Sequence, residues 1–297
     1  EDFEMEKQVI LEEISMYQDQ PPFGIDDKSK ELFFGDHPLS RSVLGTLESV
    51  KDLTVDQMRS YFDRQYSPGN IVFAAAGNFD FDRLAEEVEK YAGSWAAQPL
   101  TRSRVVPAAH QGTWRYTKES STQDYVFQIF SAPSAQCGDQ KRYSAVAAAN
   151  MIGDDVGSRM FWDLIDNGAA DTASLSYCDY SDAGTFTAVL CCDPGDTSGN
   201  LEIMNKIFQQ VQKEGFSREE LERARNKILS HIVLASERPI GRFFSIGSEW
   251  LQTQTYTPIH EEIEHFKKIT LDQIHALLGE YPLNDPLQAS IGPENKE

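Results

Sequence analysis

The feature that most constrains what this chain can fold into is an internal repeat. Leu53-Thr54-Val55-Asp56-Gln57-Met58 returns as Ile269-Thr270-Leu271-Asp272-Gln273-Ile274, with Thr270 lying 216 residues beyond Thr54. Each copy reads as a capping box, a threonine hydroxyl three residues ahead of a glutamine, that opens a helix. Each is followed by an apolar run with the look of a short strand: Ile71 to Ala76, closed by Gly77-Asn78, and a second run ending at Gly292, offset by 215. A capped helix followed by a strand is common enough to recur by chance. Glu6-Lys7 falling on Glu222-Arg223, again 216 apart, argues for duplication. A second copy that starts near residue 109 would place the start of the first roughly a hundred residues ahead of Glu1. The chain opens Glu1-Asp2-Phe3-Glu4, without an initiator Met or a leader-like stretch, and is expected to hold only the later half of a first unit.

A length of 297 residues suits about two units that each bury a core. Val9, Ile10, Ile14 and Tyr17 predict a helix over 3–18 that ends before Pro21-Pro22, followed by a loop rich in Asp, Gly and Pro. Helices are expected over about 54–64 and 81–92. From Trp95 to Ala108 neither helical nor strand period is visible, which sets the division: 1–98 as the later half of a first domain, 99–108 as linker, 109–297 as a second domain. The second part predicts strands near 124–131 and 184–192 and helices near 140–152, 158–166, 200–214 and 217–235. The last opens on the capping box Ser217-Arg218-Glu219-Glu220.

Charge narrows the function classes. Forty-seven acidic against 27 basic side chains give −20 and a pI near 4.7, so the long-range field repels nucleic-acid backbones and anionic lipid. Neither nucleic acid nor a membrane is expected as a partner, and no apolar run approaches the roughly 20 residues of a spanning helix. Cys137, Cys178, Cys191 and Cys192 form no C-x-x-C pair, and neighbours Cys191 and Cys192 would face opposite sides of a strand. Buried free thiols, leaning toward a reducing compartment, are expected rather than a cysteine zinc site.

Glu6 and Glu13 are seven apart on the first helix, hence on nearly one face but about 10 Å apart along its axis, too far to ligate one ion together. By composition alone they belong to a solvated acidic face. Several runs together shift that reading: Glu6-Lys7-x-Val9-Ile10-Leu11-Glu12-Glu13-Ile14-x-Met16, Asp36-His37-Pro38-Leu39, Val43-Leu44-Gly45-Thr46, Tyr66-Ser67-Pro68-Gly69-Asn70 and Ala76-Gly77-Asn78-Phe79. Gly157-Ser158-Arg159-Met160-Phe161, Glu220 to Asn226 and Ile291-Gly292-Pro293 continue the series. In order and spacing over nearly the whole chain they resemble the M16 zinc peptidases, the pitrilysin, insulinase and mitochondrial-processing-peptidase family.

The resemblance implies an α+β fold of two-layer α/β sandwich domains like those of LuxS and mitochondrial processing peptidase, each a sheet covered on one side by helices. This chain would be the second half of domain 1 plus a complete domain 2. It implies zinc in the full-length protein, held by the two histidines of an inverted H-x-x-E-H motif and a distant Glu, with the motif Glu as general base. By the resemblance Glu13 is that third ligand and Glu6 the accessory acid beside it. H-x-x-E-H occurs nowhere in the 297 residues, so no catalytic residue and no bound zinc are expected in this fragment. The second copy has Leu229 opposite Glu13 and reads as an inactive domain. The inactive domain of many relatives contributes an Arg and a Tyr to the substrate, in a run like Leu-Arg-Glu-Lys-x-Gly-Leu-Ala-Tyr; here Ile165 and Asp171 stand at those positions, and neither can donate to an oxyanion as those groups do.

His260-Glu261-Glu262-Ile263-Glu264-His265 imitates the motif, but its histidines are five apart, about 140° around a helix, and a solvated charged helix is expected. His37, ahead of Pro38, reads as a turn or packing residue, and Arg159 as a structural ion-pair residue. Two functions follow from the resemblance: part of a metalloendopeptidase acting on peptides, or a non-catalytic structural or substrate-holding subunit. A second M16 subunit, in a homo- or heterodimer, is the expected partner.

Overall fold

The computed structural model describes residues 2–97 and 105–294, so most of the expected linker lies outside them. The first part is helical: α1 (Asp2–Asp19), α2 (Pro21–Phe34), α3 (Leu47–Asp52), α4 (Val55–Gln65) and α5 (Phe81–Ala92). α2 replaces the expected loop. Pro21 and Pro22 occupy its first turn, where a missing N–H costs nothing, and so start a helix rather than only ending one. Ile25, Ser29 and Phe33, four apart, form its buried stripe.

Past the undescribed segment, five strands form one sheet: β1 (Gly112–Thr117), β2 (Asp124–Ala132), β3 (Thr172–Asp179), β4 (Gly184–Cys192) and β5 (Leu287–Gly292). Their order is β1-β5-β2-β4-β3; β1 and β5 are parallel and the other pairs antiparallel. The helices that accompany them are α6 (Asp139–Gly153), α7 (Thr197–Glu214), α8 (Arg218–Ser236), α9 (Pro239–Thr253), α10 (Ile259–Lys268) and α11 (Leu271–Glu280). The larger core lies between the sheet and α6, α7, α8, α10 and α11, where Val126, Phe130, Phe186 and Leu190 meet Ala148, Ile152, Met204, Phe208 and Leu277. Alanines at 145 and 147–149 let α6 approach closely. A Cβ on Gly153 would overlap the backbone of Leu175 on β3.

The sheet is not covered on one side alone. α2, from the first part of the chain, packs Ile25, Phe33 and Phe34 on the opposite face, against Phe127, Ile129, Leu287 and Ala289. The helices of the second part that share the larger core cover one face, as expected, and the first part of the chain adds a cover to the other. The cause is in the strand: residues 126–130 are buried without alternation, as they must be when both faces are covered. Removing each of the three α2 side chains from water contributes about 1.5–3 kcal/mol, which ties the first part to the second.

Both copies of the repeated box cap as expected. Thr54 and Thr270 each accept from the N–H three residues on, in nearly the same conformation, and the paired glutamine returns a bond. The strands that follow differ. β5 lies inside the sheet, whereas Ile71–Ala76 is not a strand, because among the described residues nothing pairs with it. Phe73 is 63% exposed, and α4 and α5, amphipathic though they are, bury no residue.

Candidate functional site

α1 is the element that carries the expected ligand, and it is held at both ends by lysines. Near its start, Lys7 donates to the carbonyls of Lys51 (2.5 Å) and Leu53 (2.9 Å), which docks it on α3. At its end, Lys118, just past β1, donates to the carbonyls of Gln18 (3.1 Å) and Asp19 (2.8 Å). These carbonyls have no partner inside the helix, and a cation there also complements the helix dipole. Ile14 is the one fully buried residue, Lys7, Ile10 and Tyr17 are half-buried on the same stripe, and Glu13 sits half-buried at its rim. Glu6 is exposed. Neither carboxylate has a hydrogen-bond or ion-pair partner among the described residues.

Zinc takes three protein ligands in a catalytic centre. Among the described residues no three His, Cys, Asp or Glu side chains come together. Glu13 therefore offers one oxygen to a metal, and these residues do not by themselves make a zinc site. The cysteines do not make one either. All four are free, Cys191 and Cys192 are buried, Cys137 is half-buried, and Cys178 is exposed, contrary to the expectation that all would be buried.

Ile165 closes a single helical turn, Phe161–Ile165, and packs against the larger core rather than pointing into open space. Asp171 lies just before β3. Its N–H donates to the carbonyl of Cys191 (2.9 Å), and its carboxylate accepts from Gln123 Nε2. Gln123 Oε1 in turn accepts from the Tyr125 phenol (3.2 Å) and the Cys191 thiol (3.4 Å). Burial pushes the Tyr125 phenol up, with Cys191 and Asp171 adding to it, and burial pushes the Cys191 thiol up as well. Both stay protonated at neutral pH and act as donors. Tyr125 and its partner in the Asp171 cluster were not singled out from sequence, since only the register that sets Tyr125 opposite Cys191 reveals them.

The residues expected to act together are thus spread across the sheet. Lys118 follows β1, and its N–H bonds to Gly292 at the end of β5; Asp171 precedes β3 opposite the end of β4. The end of α1 and Asp171 therefore share one end of the sheet, but four strand spacings of about 4.8 Å, or roughly 19 Å, lie between β1 and β3. The fold does not bring Glu13 into contact with Ile165 or Asp171. Leu229, opposite Glu13 in the repeat, packs against the larger core.

The remaining motif residues resolve into structure. Arg159 Nε and Nη2 pair with the two oxygens of Glu220 at 2.7 and 3.2 Å, Nη2 also donates to the Gly215 carbonyl, and the guanidinium lies over the Phe216 ring. Glu220 is at the same time the returning acid of the α8 capping box. Burial alone would raise its carboxyl, but the Arg159 and Ser217 bonds outweigh that and hold it below the usual range. Arg159→Ala is expected to cost about 2–3 kcal/mol, less than a fully buried pair, because both side chains keep some solvent contact. A depressed carboxyl stabilises fully above its unfolded pKa of about 4.3 and loses that contribution as pH falls through the folded value. Urea midpoints of the two proteins should therefore differ most at neutral pH and converge under acid; a gap that stays constant down to pH 3 contradicts this.

Gly292 in Ile291-Gly292-Pro293 has a steric cause, since a Cβ there would overlap the buried carboxylate of Asp124, which is paired with Arg115. His37 is a turn residue as expected, accepting from the N–H of Leu39 through Nδ1 with Nε2 2.8 Å from the Val105 carbonyl. His260 is exposed, but α10 is not wholly solvated. The His265 ring lies tilted against Tyr143 with centroids 5.1 Å apart, and Glu262, whose carboxyl is raised by burial and by Glu249, lines a cleft of about 820 Å³ with Arg142 and Arg242. This corrects the solvated-helix expectation on the inner side of α10.

With that geometry in place, comparison with known proteins identifies the group. The family model described as the peptidase M16 inactive domain matches residues 52–228, more than half of the chain. The chain belongs to the M16 peptidase family. An uncharacterized zinc protease of Mycobacterium leprae is 27% identical over 291 residues, covering 93% of this chain and 63% of the relative. An uncharacterized zinc protease of Bacillus subtilis is 26% identical over 294 residues, covering 97% of this chain and 70% of the relative. The chain therefore spans a little under two thirds of the mycobacterial relative. Among solved structures, a peptidase M16 inactive domain from Pseudomonas fluorescens superimposes with a TM-score of 0.90 at 15% identity, over 100% of this chain and 71% of that one. A chain of complex III2 from Candida albicans gives 0.84 at 16% identity, over 96% of this chain and 70% of that one. At such identities the structures establish the fold: a mixed α/β M16 domain.

Proposed function

We propose that this chain is the later part of a zinc-dependent metalloendopeptidase that hydrolyses peptides, in which Glu13 is the third zinc ligand and Glu6 an accessory acid. The domains would run 1–98, the later half of the metal-bearing unit, and 109–297, the inactive unit. The observation that carries the reading is α1 itself: a helix pinned at both ends by Lys7 and Lys118 that leaves one half-buried carboxylate without a partner among the described residues. A carboxylate held in place and only partly open to water is suited to a cation, and a metal would supply the pairing that the chain does not. The two curated relatives, named as zinc proteases, support the metal.

Because Glu13 is one oxygen of a site that also needs imidazoles, the 297-residue chain alone is expected neither to hold zinc tightly nor to hydrolyse peptides. Dialysis followed by elemental analysis checks this; stoichiometric, chelator-resistant zinc would overturn the assignment of Glu13. A second reading, a non-catalytic substrate-holding subunit, is favoured by Ile165 and Asp171, neither of which is free to bind a peptide carbonyl. The two readings separate on whether the full-length protein, with or without a second M16 subunit, cleaves any peptide.

A further inference from the structure

A groove of about 540 Å³ opens on the helix-covered face of the sheet, between α7 and the β1 edge. Its walls are side-chain amides. Asn205, Gln209 and Gln212, four and three apart, form one stripe of α7 beside its buried stripe of Met204, Ile207, Phe208 and Val211. Gln128 on β2 and Gln288 on β5 face each other in register, and Gln111 stands at the head of β1. With Asn284, seven of the twelve described lining residues carry a carboxamide, and Asp285 is the one charged group among them.

Gln128 is the informative member. It lies in the central strand, 1% exposed, on the same face as Val126 and Phe130, where a Met or Leu would bury without loss. Its Nε2 donates to Gln288 Oε1 at 2.8 Å and, more weakly, to Asn205 Oδ1 at 3.4 Å. Its Oε1 has no partner among the described residues. Turning the amide over would exchange an orphan acceptor for an orphan donor, so either orientation leaves one end unmet. An unmet buried polar group destabilises the fold, so packing gives no reason for an amide here.

We propose that this groove binds an uncharged peptide segment that presents a glutamine or asparagine side chain to Gln128. The lining selects that chemistry by what it offers. Among the described lining residues there is no Lys, Arg or His to neutralise a carboxylate or phosphate, and no aromatic ring on which a sugar could stack. A carboxamide brings both a donor and an acceptor, matching Gln128 in either orientation and the amide stripe of α7 beside it. Extended peptide is favoured over a free amino acid because the free carboxylate would meet no cation among the described lining residues, and because β1 is an edge strand among the described strands, whose outer N–H and C=O groups can pair with a bound main chain. Asn205, exposed and held to Gln128 by the longer bond, is the side chain that swings aside on entry. The groove lies on the sheet face away from α2, so it does not depend on the assignment of Glu13.

The test follows the side-chain amide resonances of the isotopically labelled full chain during titration with acetyl-Gly-Gln-Gly-Gln-Gly-amide, with its Glu-for-Gln counterpart and maltotriose as controls. Saturable shifts of the Gln128, Gln209 and Gln288 amides are expected with the glutamine peptide, and binding about tenfold weaker with the glutamate peptide. Gln128→Met should weaken binding by about tenfold while leaving the thermal midpoint unchanged or raised, which a structural amide would not do. Gln209→Ala, an exposed change that leaves the core untouched, should weaken binding severalfold and decides the matter if Gln128→Met does not fold. No saturable shift, stronger shifts with maltotriose, or undiminished binding in both variants would overturn the proposal.

Discussion

Full-length protein carrying Glu13→Gln is expected to lose peptide hydrolysis by on the order of 10³-fold or more, whereas Glu6→Gln should lose only about 10–100-fold. The difference follows from where the two carboxylates sit. Glu13 is half-buried at the rim of the stripe by which α1 contacts the protein, and α1 is pinned at both ends, so its oxygen is held in one place. On the proposed reading, an amide there would keep the shape but remove the charge that would balance a divalent cation. Glu6 is exposed and about 10 Å away along the axis. It can act on the centre only through its field or an intervening hydrogen bond, and such outer groups carry the smaller effect. Bound zinc, measured on the same preparations, should fall sharply in the Glu13 variant and stay near full in the Glu6 variant. Equal loss in both would mean that the two acids were assigned the wrong roles.

How much of this was legible beforehand depended on whether a residue acts through its own neighbours in sequence or through distant ones. All three singled-out capping boxes, at Thr54, Ser217 and Thr270, form as read, because a cap is closed within four residues. The strands near 124–131 and 184–192 and the helices near 140–152, 200–214 and 217–235 are also where their periodicity placed them, whereas β1, β3 and α9 were not read from the sequence. α2 was missed because Pro21-Pro22 serves equally to end α1 and to start the next helix, and the Asp- and Gly-rich run hid the four-residue spacing of Ile25, Ser29 and Phe33. Ile71–Ala76 has strand composition but no strand beside it among the described residues, and a strand exists only in a pair. The same limit governs the sites. Glu13 could be proposed from sequence because the resemblance marks its position on a single helix, and α1 forms where its periodicity placed it. The Asp171–Gln123–Tyr125 cluster and the amide groove join residues far apart in sequence, and only strand register reveals them.

Mixing the full-length protein with a second M16 subunit that carries the Arg and Tyr missing here should raise peptide hydrolysis by about 10²–10³-fold over the protein alone, the usual worth of one transition-state donor. Each chain would then supply half of the chemistry, with Glu13 on one side and the donors on the other. Within this chain the donor positions are spent on the fold. Ile165 is half-buried and packs against the core, and the Asp171 carboxylate is occupied by Gln123 and carries the wrong charge for a developing oxyanion. Restoring the groups in place is expected to recover little, because the Ile165→Arg guanidinium would have to leave the core and Asp171→Tyr would displace the bond to Gln123. The Tyr125 phenol, kept protonated by its buried setting, is too firmly engaged with Gln123 to substitute for them. The decisive comparison is turnover of one peptide by the lone protein, by the mixed pair, and by the mixed pair with Glu13→Gln. Activation by the partner that vanishes with Glu13→Gln establishes a shared site. Full activity from the lone protein, or activity in the pair that survives loss of Glu13, places the chemistry elsewhere.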